Sequence, residues 1–211
     1  MPPQRTTGEK LRSRRAFLAG VGAGAAGLAG CLGVPGRGTD ANADGPDVTA
    51  YVGAYHWGFA VLDEQGTERE SMTVDPGTEI RLVAFNTSAH DAVAQLPQAV
   101  RSALPDHETL EERNGERIPD PPSGDMHEAL HEANERTPDH SVAVMPSGGN
   151  HMRGPMNGGM MLHPIPLPHD APRPATAGIV ASERGDYTLS CVTDCGYGHP
   201  FMDRDGAFVV R

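Results

Sequence analysis

Residues 191–202 read CVTDCGYGHPFM, and the spacing of the side chains in this stretch is the strongest structural signal in the chain. Cys191, Cys195, His199 and Met202 follow one another at intervals of four, four and three residues, shortly before the strand-like run AFVVR. Thiolate, imidazole and thioether groups are the ligands that copper prefers, and a weak axial Met is typical of electron-transfer copper sites. One cysteine in such a loop would indicate a single copper ion. Two cysteines that point into one cavity indicate sulfurs bridging two ions, so the spacing predicts a binuclear copper site.

Short β-branched and aromatic runs recur along the chain between turn signals such as Asp75-Pro76-Gly77. Many short strands without long interleaved helices favour an all-β, antiparallel sandwich. The predicted strands are Val48–Ala54, His56–Asp63, Ser71–Val74, Glu79–Asn86, Ala92–Leu96, Ser141–Met145, Ala177–Ser182, Asp186–Cys191 and Ala207–Val210.

The stretch 98–174 breaks this rhythm, because it is rich in Pro, Glu, His, Met and Gly and has little apolar periodicity. A loop of this length is uncommon in a compact domain, so we expect an insertion that is functional or partly disordered. Its one helical candidate is Asp125–Glu135, which lies between Pro121-Pro122 and Pro138.

The N-terminal part of the chain is typical of an export signal. Ser13–Leu18 contains a pair of arginines that resembles the twin-arginine motif, and an Ala/Gly-rich run leads to Leu28-Ala29-Gly30-Cys31, which resembles a lipobox. An uncleaved membrane anchor is the alternative, although the run has few strongly apolar residues. We therefore expect a signal over 1–31, a flexible tether over 32–47 and one domain over 48–211, held by a lipid on Cys31 at the outer face of the cytoplasmic membrane.

The chain is acidic, with a net charge of −11, and Lys10 is its only lysine. This composition argues against nucleic acid as a partner, since phosphate binding needs positive clusters. It also leads to the hypothesis of a halophilic host. If Cys31 carries the lipid, Cys191 and Cys195 are the cysteines that remain. Their ordinary role in an exported protein would be a disulfide, but a disulfide leaves His199 and Met202 unexplained.

The segment Ser190–Met202 resembles the copper loop of the CuA domain, the binuclear copper domain of cytochrome c oxidase subunit II and of nitrous oxide reductase. All four positions of the family pattern C-x3-C-x3-H-x2-M are present. The likeness covers Val48–Leu96 and Ala175–Val210 and implies a cupredoxin-like Greek-key β-sandwich. Further segments that carry it are Ala54–Phe59 around a family Trp, Val74–Gly77, Ile80–Asn86 and Arg184–Tyr187.

The resemblance also implies a ligand set. Cys191 and Cys195 would bridge two copper ions, with His199 and axial Met202 on one ion and the backbone carbonyl of Thr193 on the other. Trp57, the only Trp in the chain, is expected in the core and as a possible entry point for electrons.

A second histidine ligand is required, and two candidates remain. His90 follows the predicted strand Glu79–Asn86 at close to the family spacing, so we favour it. His140, in Asp139-His140-Ser141, resembles the family's His-Ser segment locally but lies beyond most of the insertion.

The implied function is one-electron transfer from a small soluble carrier, either a cytochrome c or a blue-copper protein, to a membrane oxidase or reductase. Such a domain catalyses no reaction by itself, although it could form part of an oxidase. The alternative is a copper-handling or assembly protein that uses the Met/His-rich loop His151–His163 to bind Cu(I).

Two zinc hypotheses compete with copper. A structural zinc ion could be held by Cys191, Cys195, His199 and a further His, but this leaves Met202 unexplained. His127–His131 matches the H-E-x-x-H pattern of zinc proteases. That helix is short and hydrophilic, and Asn134 and Thr137 stand where metzincins have Gly and His.

Overall fold

The computed structural model describes residues 45–122, 124–148 and 160–211. The export-signal prediction for 1–31, including Cys31, lies outside these residues, as do 32–44 of the expected tether and His151–Met156 of the Met/His-rich loop. In the ranges described, no helix has the length and apolar character needed to span a bilayer.

In the part of the chain that the structure describes, nine strands form two sheets packed face to face, which confirms the predicted all-β sandwich. The first sheet has the order β2-β1-β4-β7 and the second the order β3-β9-β8-β5-β6. Two pairs, β1 with β4 and β3 with β9, are parallel, so the sheets are mixed rather than purely antiparallel. The strands are β1 (Val48–Tyr55), β2 (Gly58–Leu62), β3 (Met72–Val74), β4 (Glu79–Asn86), β5 (His140–Pro146), β6 (Leu162–Leu167), β7 (Ala175–Val180), β8 (Gly185–Ser190) and β9 (Asp203–Val210).

The main core lies between the two sheets. Because successive side chains in a strand point to opposite faces, alternate residues of each strand face inward. On β1 these are Ala50, Val52 and Ala54, all of which are fully buried. The other large side chains of this core include Phe59, Leu82, Val142, Leu189 and Phe208.

Among the described residues, four helices pack on the outer face of the first sheet. The first two, α1 (His90–Ala94) and α2 (Gln98–Ala103), lie against β4, and α3 (His107–Asn114) and α4 (Met126–Arg136) lie against β1 and β2. The strand predicted at Ala92–Leu96 is therefore wrong. Residues His90–Ala94 form α1 instead, and the buried side chains of Ala92, Leu96 and Val100 pack against Val83.

The range 98–174, expected as an insertion, contributes α2, α3, α4, β5 and β6 to the structure. The helix predicted at Asp125–Glu135 is present as α4, with Asp125 as its N-cap. Strand β6 reads LHPIPL and was not predicted. It lies at the edge of the second sheet, where prolines are tolerated because one side of the strand needs no hydrogen-bond donors.

Candidate metal centre

The loop between β8 and β9 carries the motif of residues 191–202. Cys191 directly follows β8 and Met202 directly precedes β9, and the Cys191 N–H donates to the Met202 carbonyl at 3.3 Å. A single 3-10 turn, His199–Phe201, brings the end of the loop back, and the Met202 N–H donates to the His199 carbonyl at 3.1 Å. The loop is thus closed at its base, and its donor groups face one another.

Two unpaired thiols form the middle of this group. The Sγ atoms of Cys191 and Cys195 are 4.0 Å apart, about twice the length of an S–S bond, and both residues are buried and free. The Cys191 sulfur lies 3.3 Å from the carbonyl oxygen of Thr193. The Cys195 sulfur lies 3.6 Å from Nδ1 of half-buried His199 and 3.2 Å from Sδ of Met202, which is fully buried. The structure therefore brings together all five loop positions that the sequence singled out.

His140 completes the group from the neighbouring strand. It is the first residue of β5 and is 2% exposed, and one of its ring nitrogens lies within 4.8 Å of both cysteine sulfurs. Strand β5 runs antiparallel to β8 with Ala143 opposite Ser190, which places the start of β5 beside Cys191. The next residue, Ser141, fixes this contact, because its Oγ accepts a hydrogen bond from the Val192 N–H at 3.0 Å.

The structure does not bring His90 to this group. His90 is exposed and starts α1, and the N-cap residue Ala89 and the helix residue Ala92 pack on the outer side of β4. The spacing after the strand is close to that of the resembled family, but the chain turns at Asn86 to cover the sheet instead of approaching the thiols. Buried Asn86 itself binds the strands near His140, donating from Nδ2 to the carbonyls of Pro138 at 2.7 Å and Leu167 at 3.1 Å.

The two thiols differ in acidity because they are coupled. A hydrogen bond from the Cys195 thiol, and after it contacts with His140 and Ser141, hold the pKa of Cys191 below its usual range despite burial. The pKa of Cys195 is raised, first by its interaction with Cys191 and then by burial. One thiolate is therefore favoured in the metal-free protein, and a second thiolate needs a cation beside it.

Buried polar atoms without a hydrogen-bond partner indicate that this group of side chains could bind a metal ion. Among the described residues, the buried side-chain nitrogens and oxygens without a hydrogen bond are Nδ1 of His140, both ring nitrogens of His56, and Nε1 of Trp57. An unsatisfied buried donor or acceptor costs about 1–3 kcal/mol, so natural proteins rarely gather several in one place. Imidazole nitrogens beside two thiols are a soft N/S donor set, which suits copper or zinc.

The sequence did not predict a site role for His56. It lies in the turn between β1 and β2, is 1% exposed, and its ring centroid is 4.8 Å from that of His140. Burial, and after it the neighbouring His140, lowers the pKa of His56 to about 4, although the nearby carbonyls of Cys195 and Ala133 favour the charged ring. The one sequence feature that could have indicated this position is spacing, because His56 is two residues beyond Ala54, the last inward-facing residue of β1.

Trp57 faces the opposite way, into the cluster between the first sheet and the helices α3 and α4. It is 4% exposed, packs near Leu110 and Leu130, and meets the ring of His107 edge-on at 5.2 Å between centroids. The ring of His56 lies 6.5 Å away on its other side. Trp57 is thus a core residue that separates the metal group from the surface around α3.

The β1–β2 turn and the helical part of the chain also hold the loop of residues 191–202, here called the metal loop. A Cβ on Gly198 would lie 2.1 Å from the His56 carbonyl oxygen. A Cβ on Gly196 would lie 2.6 Å from the Cβ of Ala133 on α4. The Tyr197 hydroxyl donates to the carbonyl of Pro119. The loop therefore fits closely between the β1–β2 turn and the segment that leads into α4.

The H-E-x-x-H residues occupy the exposed side of α4. His127 pairs with Glu111 of α3 at 2.9 Å, and His131 lies 3.7 Å from Glu135, with the two histidine side chains 74% and 66% exposed. Within the described ranges, the group of metal-type ligand atoms that converges is that of His140, Cys191 and Cys195. The α4 histidines are accounted for by surface pairs.

Comparison with known proteins gives structural likeness only. No family model matches the chain, and no curated protein matches it. Among solved structures, the periplasmic domain of subunit II of cytochrome oxidase (CoxB) of Bradyrhizobium japonicum is 12% identical, with a TM-score of 0.39 over 79% of this chain and 86% of that one. A heme-copper terminal oxidase dimer is 11% identical, with a TM-score of 0.36 over 78% of this chain and 65% of that one. Auracyanin B is 12% identical, with a TM-score of 0.37 over 80% and 92%.

Proposed function

We propose that this protein is a one-electron carrier whose β8–β9 loop holds a binuclear copper centre. The observation that carries the proposal is a pair of buried, unpaired thiols 4.0 Å apart with a histidine beside each: His140 near Cys191, and His199 near Cys195. A disulfide would require the sulfurs to be in bonding contact, and a simple zinc site would not use the thioether of Met202.

The proposed ligand assignment is supported by which atoms lie close together. Cys191 and Cys195 would bridge the two ions. His199 and Met202 lie on the Cys195 side, and His140 and the Thr193 carbonyl lie on the Cys191 side. When bound, a copper pair supplies a centre that takes up and releases one electron. The chain contributes burial, which excludes water, and strands β5, β8 and β9, which fix the donors in place.

We further infer the setting in which this centre works. The signal-like residues 1–31 would direct export, and a lipid on Cys31 would hold the domain at the outer face of the cytoplasmic membrane. Electrons would arrive from a small soluble carrier, a cytochrome c or a blue-copper protein, by way of Trp57. They would leave to a membrane oxidase or reductase.

The test is spectroscopy and metal analysis of the exported protein loaded with copper. We expect two copper ions per chain, a purple colour from thiolate-to-copper charge transfer, and an electron paramagnetic resonance spectrum with hyperfine coupling to two equivalent copper nuclei. A cystine between Cys191 and Cys195, or a single spectroscopically silent ion, would refute the proposal. A colourless protein that binds only Cu(I) would instead indicate copper handling.

The same spectra test the choice of histidine. We expect His140→Ala to abolish the charge-transfer bands, because it removes a buried donor beside both sulfurs. The matched control, His90→Ala, changes an exposed residue on α1 and should leave the spectrum unchanged. The opposite result would restore His90 as the ligand.

A further inference from the structure

The ring of His56 lies beside that of His140, at the edge of the candidate metal centre. It belongs to the turn between β1 and β2 and comes from the first sheet, whereas His140, Cys191 and Cys195 belong to the second. The main-chain alternation that directs Ala54 into the sandwich directs His56 to the same side and sends Trp57 to the other. His56 therefore meets the donor group from the facing sheet.

A structural role alone does not explain this histidine. The side chain is 1% exposed, and neither Nδ1 nor Nε2 makes a hydrogen bond of normal geometry, although the carbonyls of Cys195 and Ala133 lie nearby. A neutral imidazole carries one N–H donor and one acceptor, and carbonyl oxygens can partner only the donor, so the acceptor nitrogen stays unsatisfied. Leu or Phe would fill the same space without that penalty. The polar ring indicates that something binds to it.

The arrangement of the His56 and His140 rings fits a shared metal ion. Two imidazoles on one tetrahedral ion, each at an N–metal distance of about 2.0–2.1 Å, have ring centroids about 5 Å apart. The rings of His56 and His140 are 4.8 Å apart and inclined by 67°, and Nδ1 of His140 also has no partner. An edge-on ring pair at this distance is an ordinary aromatic contact, but it leaves three nitrogens without partners, whereas a shared ion would bind one nitrogen of each ring.

We propose that His56 is an additional imidazole ligand of the centre, bound to the ion on the His140 side. This proposal rests on the proposed function for the identity of the metal, but it concerns a residue that the CuA-like motif does not contain. The ion on the His140 side would then have two imidazole ligands, and the ion on the His199 side would have one.

The surrounding structure keeps His56 in this position. Gly198 of the metal loop lies so close to the His56 carbonyl that a Cβ there would be 2.1 Å from the oxygen. Trp57, packed between the sheet and α4, fixes the next residue of the turn. The β1–β2 turn and the metal loop therefore have one relative position, and the ring has little freedom to turn away.

The experiment counts the imidazoles bound to copper. Copper-loaded protein labelled with ¹⁵N-histidine is compared by pulsed electron paramagnetic resonance with His56→Phe, which fills the space but donates nothing, and with His56→Ala. We expect the wild type to show couplings from three imidazoles and both variants to show two. Copper affinity should fall by about 10–100-fold in the variants. Added imidazole should restore the third coupling in His56→Ala, where it has room to bind.

His107→Ala is the matched control, since His107 also touches Trp57 but lies on the side away from the thiols. It should keep all three couplings. Unchanged couplings and an unchanged reduction potential in a folded His56→Phe protein would overturn the proposal. If the wild type holds a single copper ion and His56→Phe still loses a coupling, the binuclear function fails while the assignment of His56 stands.

Discussion

Gly196 and Gly198 let the metal loop lie closer to its neighbours than any residue with a side chain would allow. Gly198 faces the backbone carbonyl of His56, which cannot move without displacing the β1–β2 turn. Gly196 combines close contact with Ala133 and a φ of +88°, a conformation that disfavours a Cβ. Two residues of the motif thus act through the absence of a side chain.

Gly198→Ala should therefore destabilise the metal-free protein by about 3 kcal/mol, since overpacking against fixed backbone cannot relax. The measurement is chemical denaturation followed by circular dichroism. Gly206→Ala is the control, because Gly206 has a φ of +63° but open space around its Cβ. It should cost only the conformational penalty of about 1–2 kcal/mol. Equal losses in the two variants would contradict the close packing of the loop.

At the scale of elements, the segment after α3 anchors the end of the metal loop. Nη2 of Arg117 donates to the carbonyls of Phe201 at 3.3 Å and Asp203 at 3.1 Å, where the loop passes into β9. We expect Arg117→Gln to cost about 1 kcal/mol and to speed hydrogen exchange of the loop amides. Arg136→Gln, which removes only a surface pair with Glu132, should leave that exchange unchanged. Identical exchange in both variants would show that Arg117 does not anchor the loop.

Helices α3 and α4 are joined by the pair between His127 and Glu111. The Glu111 carboxylate, by hydrogen bond and by charge, raises the pKa of His127 above its ordinary value. A histidine with a raised folded pKa stabilises the protein below its unfolded pKa of about 6.5, and this contribution is lost as the pH rises through the folded value.

The stability difference between wild type and His127→Gln should accordingly be largest below pH about 6.5 and should shrink as the pH rises. Unfolding free energies measured across this range check the prediction. Glu111→Gln should remove the pH dependence in the same way. A difference that grows with pH would mean that the pair does not link the helices.

How far the sequence predicts each element depends on where its stability comes from. Strand β4 matches its prediction because Ile80, Leu82 and Ala84 alternate inward within the strand itself. Helix α3 was not predicted, since Leu110 is its only buried apolar residue and packing against β1 and β2 supplies the rest of its stability.

The donors inside residues 191–202 could be predicted because they lie on one loop. The place of His140 beside the cysteines could not be predicted, because β5, which carries it, lies beside β8 through long-range pairing that local spacing does not encode.

His56 shows the same limit more clearly, because its role depends on the contact between two sheets. Nothing within Ala54–Phe59 distinguishes a ligand from a core aromatic until the second sheet is packed against the first. A metal centre that draws donors from both sheets would also couple metal binding to the stability of the whole sandwich.

For the molecule as a whole, the dominant electrostatic quantity is its net charge of −11. Like charges on a compact surface repel one another and destabilise the folded state. Salt weakens this repulsion, since the Debye length falls from about 10 Å at 0.1 M to about 3 Å at 1 M. We expect the midpoint of thermal unfolding to rise steadily with sodium chloride over this range.

The matched variant for this prediction is the double substitution Glu112→Gln and Glu116→Gln, which removes two exposed charges near α3. It should raise stability in low salt and flatten the salt dependence, with little effect at 1 M. An equal salt response in both proteins would mean that salt acts by strengthening apolar burial instead of by screening charge. In that case the acidic composition would serve solubility, and the hypothesis of adaptation to a saline setting would lose its physical basis.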